Sequence, residues 1–148
     1  MKEQQRVDNE HNVPRQIMQH FTGLLLGGKL DQWAELFAPN ATFEFPYSPP
    51  GYPQRLEGKS AIYNHVNTLF TLVEIQQFSE PVILLDADQQ RFVAEFTCEG
   101  TFLDTGKPYN QTYISVVSYD GDKITHYRDY WNPLVVMESE MGGVVDEQ

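Results

Sequence analysis

Cysteine, basic residues and long apolar runs are all scarce in this sequence of 148 residues. The single cysteine, Cys98, excludes an internal disulfide, and its place in an alternating apolar stretch predicts a buried, unreactive thiol. Ten Lys and Arg residues stand against 21 Asp and Glu residues, which gives a net charge of −11. This balance argues against a nucleic-acid partner, because phosphate binding needs a basic patch.

Targeting and metal-binding signals are also missing. The longest apolar run, residues 24–26, is too short to cross a bilayer, and residues 1–5 lack the apolar segment of a signal peptide. We therefore predict a cytoplasmic protein with no membrane partner. No His, Asp or Glu stands near Cys98 in metal-ligand spacing, so we predict no metal site and no cofactor.

The chain that remains has the length of one domain. Polar residues 1–11 are expected to form a flexible N-terminus, residues 12–135 the domain, and residues 136–148 an acidic C-terminal tail. Apolar periodicity predicts helices over 12–26, 31–37 and 59–73, and strands over 41–45, 81–86, 91–103, 109–119 and 122–131. Helices followed by a meander indicate an α+β fold, with the helices packed on one face of an antiparallel sheet. Gly100, inside a long strand, predicts a bend or bulge there.

The last predicted strand carries an unusual acid. Alternation places Thr125, Tyr127, Asp129 and Trp131 on one face, and Ile124, His126, Arg128 and Tyr130 on the other. A carboxylate between two large aromatic residues is either an exposed surface group or a buried group with a shifted pKa.

The register of the preceding hairpin is open. A two-residue loop at residues 120–121 would place Thr112 opposite Asp129 and Ile114 opposite Tyr127, whereas a three-residue loop would bring Tyr113 opposite Asp129.

His65 lies in the apolar stripe of the third predicted helix and is expected to face inward. Such a histidine is either a core residue with satisfied hydrogen bonds or a functional group.

Residues 46–55 form a proline-rich loop that carries Tyr47, Tyr52 and Arg55. Four prolines make the loop stiff, so it is either a plain surface crossover or the rim of a pocket. In the second case these three side chains are the expected ligand contacts.

Three segments resemble the nuclear transport factor 2-like superfamily, and within it SnoaL-like polyketide cyclases and ketosteroid isomerase-related proteins; they are residues 33–43, 58–62 and 120–133. The resemblance covers about residues 12–135. It implies three N-terminal helices packed on a strongly curved, mostly antiparallel sheet that forms a cone with a central pocket. It also implies a homodimer formed through the outer face of the sheet, with Tyr127, Asp129 and Trp131 in the pocket and His65 approaching from the third helix.

Two branches of the superfamily bear on activity. The three catalytic positions of steroid isomerases correspond here to Phe21, Phe45 and Ile114, none of which transfers a proton, so steroid isomerisation by those residues is not expected. Phenazine-biosynthesis condensing proteins are similar over parts of residues 95–132, and that similarity implies an acid/base role for Asp129, one methylene shorter than their glutamate, and a pocket role for His65. The loop of residues 46–55 does not match theirs.

We therefore predict a SnoaL-like enzyme that performs cofactor-free acid/base chemistry, such as cyclisation, condensation or isomerisation, on an apolar substrate with a carbonyl group. Asp129 and His65 are the predicted catalytic residues. The predicted substrate-binding residues are Tyr127, Trp131, Tyr47, Tyr52, Arg55, Phe21, Phe45, Thr112 and Ile114. Two alternatives are a non-catalytic small-molecule binding protein, in which Asp129 binds Arg55 or another group, and a dimeric structural subunit with an unused cavity.

Overall fold

The computed structural model describes residues 2–140, with the side chains of residues 13–137. Its helices are α1 (Lys2–Leu26), α2 (Leu30–Ala34), α3 (Lys59–Leu72) and α4 (Pro133–Glu140). Its strands are β1 (Phe37–Glu44), β2 (Arg55–Glu57), β3 (Val73–Phe78), β4 (Val82–Asp86), β5 (Arg91–Phe102), β6 (Gln111–Asp120) and β7 (Lys123–Trp131). In this part of the chain, no helix combines the length and the apolar character needed to cross a membrane.

The seven strands form one curved, unclosed sheet in the order β2-β1-β7-β6-β5-β3, and β4 pairs with the first half of β5. Strands β1 and β7 run parallel, and every other pair is antiparallel. The predicted α+β class with a curved, mostly antiparallel sheet is therefore confirmed.

The core lies between the helices and the inner face of the sheet. Alternate residues of β5 supply one layer, with Phe92, Ala94, Phe96 and Cys98 all buried, as predicted for Cys98. The apolar stripes of α1 and α3 cover this layer, because residues one helical turn apart share a face. Their buried members are Ile17, Met18, Phe21, Leu25, Ile62 and Val66. The sheet and the helices thus enclose an aromatic interior.

Gly100 lies opposite a β-bulge, which is in the neighbouring strand β3. Ile75 pairs with Gly100 and Gln77 with Glu99, so Gln76 is an extra residue in β3. A Cβ at Gly100 would lie 2.7 Å from the carbonyl oxygen of Glu74, which is a clash with backbone. Only glycine allows β3 to approach β5 this closely.

The first half of β7 departs from the predicted alternation. Ser118 pairs with His126 while Tyr119 pairs with Ile124, so Thr125 is an extra residue in the strand. Such a β-bulge reverses the face of the residues before it. Ile124 is consequently fully buried, and its prediction for the outer face is wrong.

The predicted hairpin registers are also wrong. Asp120 pairs with Lys123, and the bulge adds one further step, so Asp129 pairs with Ser115 rather than with Thr112 or Tyr113. The loop consists of the two residues 121 and 122, with Gly121 at φ 62°. A positive φ suits glycine, and placing glycine first in the loop moves the pairing by two residues.

Several element ends differ from those predicted. Helix α1 begins at Lys2 rather than at Asn12, so Pro14 lies inside it, and α2 ends at Ala34, so that Phe37 belongs to β1. Strand β3 was not predicted, because Val73 also continues the apolar stripe of α3. Apolar and polar residues nevertheless alternate from Val73 to Gln76, which is typical of a strand.

The start of the predicted acidic tail is helical. Helix α4 begins at Pro133, and its Val136 is buried in a cluster with Val73, Cys98, Phe102 and Tyr109. An apolar contact of this kind holds the segment against the sheet. Residues 141–148 of the predicted tail lie outside the described residues.

Candidate active site

Asp129 lies near the end of β7 with an oxygen buried and unpartnered. The residue as a whole is half-buried, but its Oδ1 atom is buried and has no hydrogen-bond partner among the described residues. Burial disfavours the charged form of a carboxyl group and raises the pKa of Asp129 to about 7. At neutral pH the group is therefore close to half protonated.

His65 reaches the same region from α3. The imidazole is half-buried, and its ring centroid lies 5.2 Å from that of Phe45, at the beginning of the proline-rich loop. Burial lowers the pKa of His65, because a cation is poorly solvated there. The ring is therefore mainly neutral at pH 7, with one nitrogen that donates a hydrogen bond and one that accepts.

Two adjoining chambers form a cavity between the helices and the sheet. The outer chamber has a volume of about 200 Å³ and includes the loop residues Ser48, Tyr52 and Pro53 in its wall. The inner chamber, of about 80 Å³, is lined mainly by buried core residues such as Phe21 and Trp33. Six residues line both chambers, and we call them the waist: Phe45, His65, Leu69, Tyr109, Tyr113 and Asp129.

Two tyrosines of the waist form a hydrogen-bonded pair. The hydroxyl oxygens of Tyr109 and Tyr113 lie 3.2 Å apart, and the Cys98 sulfur lies 3.7 Å from the Tyr113 oxygen. Burial raises the pKa of both phenols and of the Cys98 thiol, so all three stay neutral. The waist thus offers phenolic hydrogen-bond donors beside a protonatable carboxyl group.

Neither tyrosine of this pair was predicted as a site residue. Tyr113 shares the inner face of β6 with Gln111, Ser115 and Val117, but the sequence does not fix which face of that strand is inner. The alternation of β6 would have placed Tyr113 in the cavity if the register between β6 and β7 had been known, because the register decides which of the two faces is inner.

The end of β7 is held by polar contacts on β6. Gln111 is buried, and its side chain both accepts a hydrogen bond from the Asn132 backbone N–H at 2.9 Å and donates one to the Asn132 carbonyl at 2.8 Å. The Tyr127 hydroxyl donates to Ser115 Oγ at 2.6 Å, and Ser115 is the residue of β6 that pairs with Asp129. These contacts fix the strand on either side of Asp129.

Of the predicted substrate-binding residues, five line the cavity: Tyr52 and Trp131 the outer chamber, Phe21 and Tyr127 the inner chamber, and Phe45 both. Thr112 and Ile114 do not. Both face outward, with Thr112 exposed and Ile114 41% exposed, because the register shift assigns the inner face of β6 to the other set of alternating residues. Their prediction as substrate contacts is wrong, and so is the alignment of Ile114 with a catalytic position.

Tyr47 and Arg55 also lie outside the cavity lining. Tyr47 is 60% exposed and packs edge-on against Tyr130, on the outer face of β7. Arg55 pairs across the sheet with Glu44 and forms ion pairs with Glu57 and Glu44. Directly opposed residues of paired strands share a face, so Arg55 is drawn to the outer side. The prediction of both residues as ligand contacts is wrong, and Arg55 is not the partner of Asp129.

No group of three His, Cys, Asp or Glu side chains within the described part of the chain is arranged to hold a metal ion. The polar groups of the waist are instead suited to moving a proton. They combine a carboxyl group with a pKa of about 7, a neutral imidazole and two neutral phenols around one cavity.

Comparison with known proteins identifies relatives over most of the chain. The SnoaL-like domain family matches residues 17–127, which end just before Asp129. The protein from Bacillus subtilis strain 168 named "Uncharacterized protein YesE" is 39% identical over 140 residues, with 95% of each chain covered. The "Uncharacterized PhzA/B-like protein PA3332" of Pseudomonas aeruginosa PAO1 is 36% identical over 130 residues, with 88% of this chain and 91% of that protein covered.

A solved structure agrees with the fold. The "Crystal Structure of Putative Isomerase from Bacillus subtilis" superposes with a TM-score of 0.86 at 41% sequence identity, covering 90% of this chain and 96% of that one. The resemblance inferred from the sequence is thereby confirmed.

Proposed function

This chain belongs to the SnoaL-like domain family, and on that premise we propose that it is an enzyme performing cofactor-free acid/base chemistry on a small apolar compound with a carbonyl group. Cyclisation, condensation and isomerisation all begin with removal of a proton beside a carbonyl, and we assign that step to Asp129.

The observation that carries this proposal is the unpartnered Oδ1 of Asp129 in a cavity that His65 also lines. A buried carboxyl without a hydrogen-bond partner costs stability, and such groups are candidates for function when they face a cleft. A pKa of about 7 supports the assignment, because a general base works best with a pKa near the operating pH.

In the proposed reaction, Asp129 transfers the proton and the other polar residues of the waist stabilise the negative charge on oxygen. Ionised Asp129 takes the proton from the carbon beside the carbonyl, and the electron pair of that C–H bond moves to make the carbonyl oxygen an enolate. A hydrogen bond from neutral His65, or from the Tyr109–Tyr113 pair, stabilises that oxygen. Protonated Asp129 then returns its proton to another carbon in an isomerisation, or to the new oxyanion after the enolate carbon has attacked a second carbonyl.

A non-catalytic binding protein is the competing interpretation. It would require Asp129 to serve as a structural acceptor, with Arg55 as its most obvious partner. The ion pairs of Arg55 with Glu57 and Glu44 favour the catalytic interpretation, because they leave Asp129 without that cation.

Proton exchange tests the proposal without knowledge of the natural substrate. Acetophenone and cyclohexanone are incubated with the protein in D₂O, and loss of the proton beside the carbonyl is followed by NMR. We expect exchange that rises with pH, reaches half its maximum near pH 7 and levels off above that, since ionised Asp129 is the base. Asp129→Asn should slow it by about 100-fold or more.

Asp104→Asn is the matched control, because it makes the same chemical change at an exposed turn residue, and it should leave exchange unchanged. Ketones that bind without any exchange would contradict the enzyme and support the binding protein. Full exchange by Asp129→Asn would remove Asp129 from the mechanism.

We also propose that two copies associate through the outer face of the sheet. Val82, Leu84 and Ile114 are 59%, 67% and 41% exposed. Val82 and Leu84 lie on β4 and Ile114 on β6, the two strands that flank β5, and Glu95 of β5 stands between Val82 and Ile114. The pairing registers place Leu84, Val93 and Val116 in one row across β4, β5 and β6. An apolar patch of this kind is typical of a protein interface.

Mass measurement by light scattering after gel filtration tests the association. We expect a dimer for the native protein and a monomer for Ile114→Lys, because a charge within the interface opposes burial. Leu103→Lys replaces an exposed apolar residue in a turn and should remain dimeric. A native protein of monomeric mass would overturn this proposal.

A further inference from the structure

We infer that the cavity takes a neutral ketone in two parts, with a ring in the outer chamber, a short alkyl group in the inner chamber and the carbonyl at the waist. The inference rests on the proposed function in taking this cavity as the ligand site, and it adds the class of substrate.

The polar groups fix the position of the carbonyl. Four of the six residues shared by the two chambers carry polar side chains, namely His65, Tyr109, Tyr113 and Asp129. Beyond the waist, the lining of the inner chamber has two hydrogen-bonding groups: the Tyr127 hydroxyl, which is bonded to Ser115, and the indole N–H of Trp33, which has no partner among the described residues. A carbonyl therefore finds several polar groups at the waist, and the part of the ligand that extends inward meets a mainly apolar wall.

The volumes fix which part of the ligand enters which chamber. An apolar protein cavity of ~150 Å³ holds a benzene molecule. The outer chamber, at about 200 Å³, has room for one such ring and a substituent. The inner chamber, at about 80 Å³, is too small for a ring and by proportion has room for roughly three carbon atoms.

Charge excludes anionic ligands. Neither chamber is lined by a Lys or Arg residue within the part of the chain that the structure describes. The cavity already holds one acid, Asp129, whose own ionisation is suppressed by burial. A carboxylate or phosphate on the ligand would lie unpaired in this environment, which is far costlier than a neutral carbonyl.

Three phenyl ketones of increasing chain length test the inference by calorimetric binding to the native protein: acetophenone, butyrophenone and octanophenone. Butyrophenone should bind about tenfold more tightly than acetophenone, because its two additional CH₂ groups enter the inner chamber. Octanophenone should bind at least about tenfold more weakly than butyrophenone, since its chain exceeds the chamber. Benzoate, which has a similar ring and a negative charge, should not bind.

Two variants examine the inner chamber directly. Phe78 is half-buried and lines the inner chamber but not the outer one. Phe78→Ala should therefore raise the affinity for octanophenone to that for butyrophenone. Ile75→Ala enlarges the same chamber and replaces Phe78→Ala should that variant fail to fold. Leu103→Ala, at a 54% exposed turn position that lines neither chamber, is the control and should keep the native order of affinities.

The outcomes separate this inference from the proposed function. Equal affinity for all three ketones, or tight binding of benzoate, overturns the two-part ligand while proton exchange can still support the enzyme. The predicted order of affinities in a protein that exchanges no protons supports the two-part ligand and overturns the enzyme.

Discussion

Replacing Asp129 by asparagine should make the stability of this protein less dependent on pH. In the folded chain burial raises the pKa of Asp129 from 3.8 to about 7. The folded state therefore holds this proton more tightly than the unfolded state does, and the resulting stabilisation is complete below the unfolded pKa. It is lost as pH rises through the folded pKa. Each pH unit between the two values corresponds to ~1.36 kcal/mol, or about 4 kcal/mol in all.

About 3 kcal/mol of this should be measurable between pH values of roughly 5 and 8. Asparagine has the same shape and no charge, so Asp129→Asn lacks this dependence, while all other titrating groups cancel in the difference from the native protein. Its free energy of unfolding should thus exceed that of the native protein by about 1.5 kcal/mol at about pH 5 and by about 4 kcal/mol at about pH 8, and should approach the native value only below about pH 4.

Urea unfolding at the two pH values, followed by the fluorescence of buried Trp33 and half-buried Trp131, measures both free energies. Asp104→Asn should track the native protein at both, because its carboxyl group is exposed. A stability difference between Asp129→Asn and native protein that stays the same from about pH 5 to 8 would refute the reasoning. It would mean that Asp129 is ionised throughout and that its burial does not govern its protonation.

Three further predictions concern the surroundings of the cavity. Gly100→Ala should lower the free energy of unfolding by about 1–3 kcal/mol, because the added Cβ would lie 2.7 Å from the Glu74 carbonyl oxygen. Gly23→Ala is the control: its Cβ would have no atom within 4 Å, and the helix gains up to ~1 kcal/mol. Equal effects of the two substitutions in urea titration would contradict the clash. Cys98 should react with a thiol reagent only in denaturant, and rapid labelling of native protein would show that the thiol is not buried. The NMR titration of His65 should have a midpoint below the value of ~6.5 for an exposed histidine, and a midpoint above it would contradict burial of the ring.

The residues that could be predicted as site residues are those whose position depends on local pattern. His65 faces inward because residues one helical turn away are apolar, and helical periodicity alone determines that direction. Asp129 and Trp131 share a face because they are two residues apart in a strand, beyond the bulge that displaces Ile124.

The residues that were misplaced depend on pairing between segments. Thr112 and Ile114 were assigned to the cavity on a register that one bulged residue overturns, since a shift by one residue exchanges the two faces of a strand. Arg55 was expected at the cavity because a stiff proline-rich loop can form the rim of a pocket, but its strand pairs with β1 and directs it to Glu44.

The sequence by itself determined the class of fold, the excess of acidic charge, the burial of Cys98 and the inward direction of His65, because these follow from composition and from the periods of helix and strand. Only the tertiary structure decided that Asp129 Oδ1 has no partner, that Tyr109 and Tyr113 form a pair, and that these three residues line both chambers. The physical reason is that burial, and with it the pKa of a carboxyl group, depends on which distant segments pack around it, and those contacts leave no pattern within any single segment.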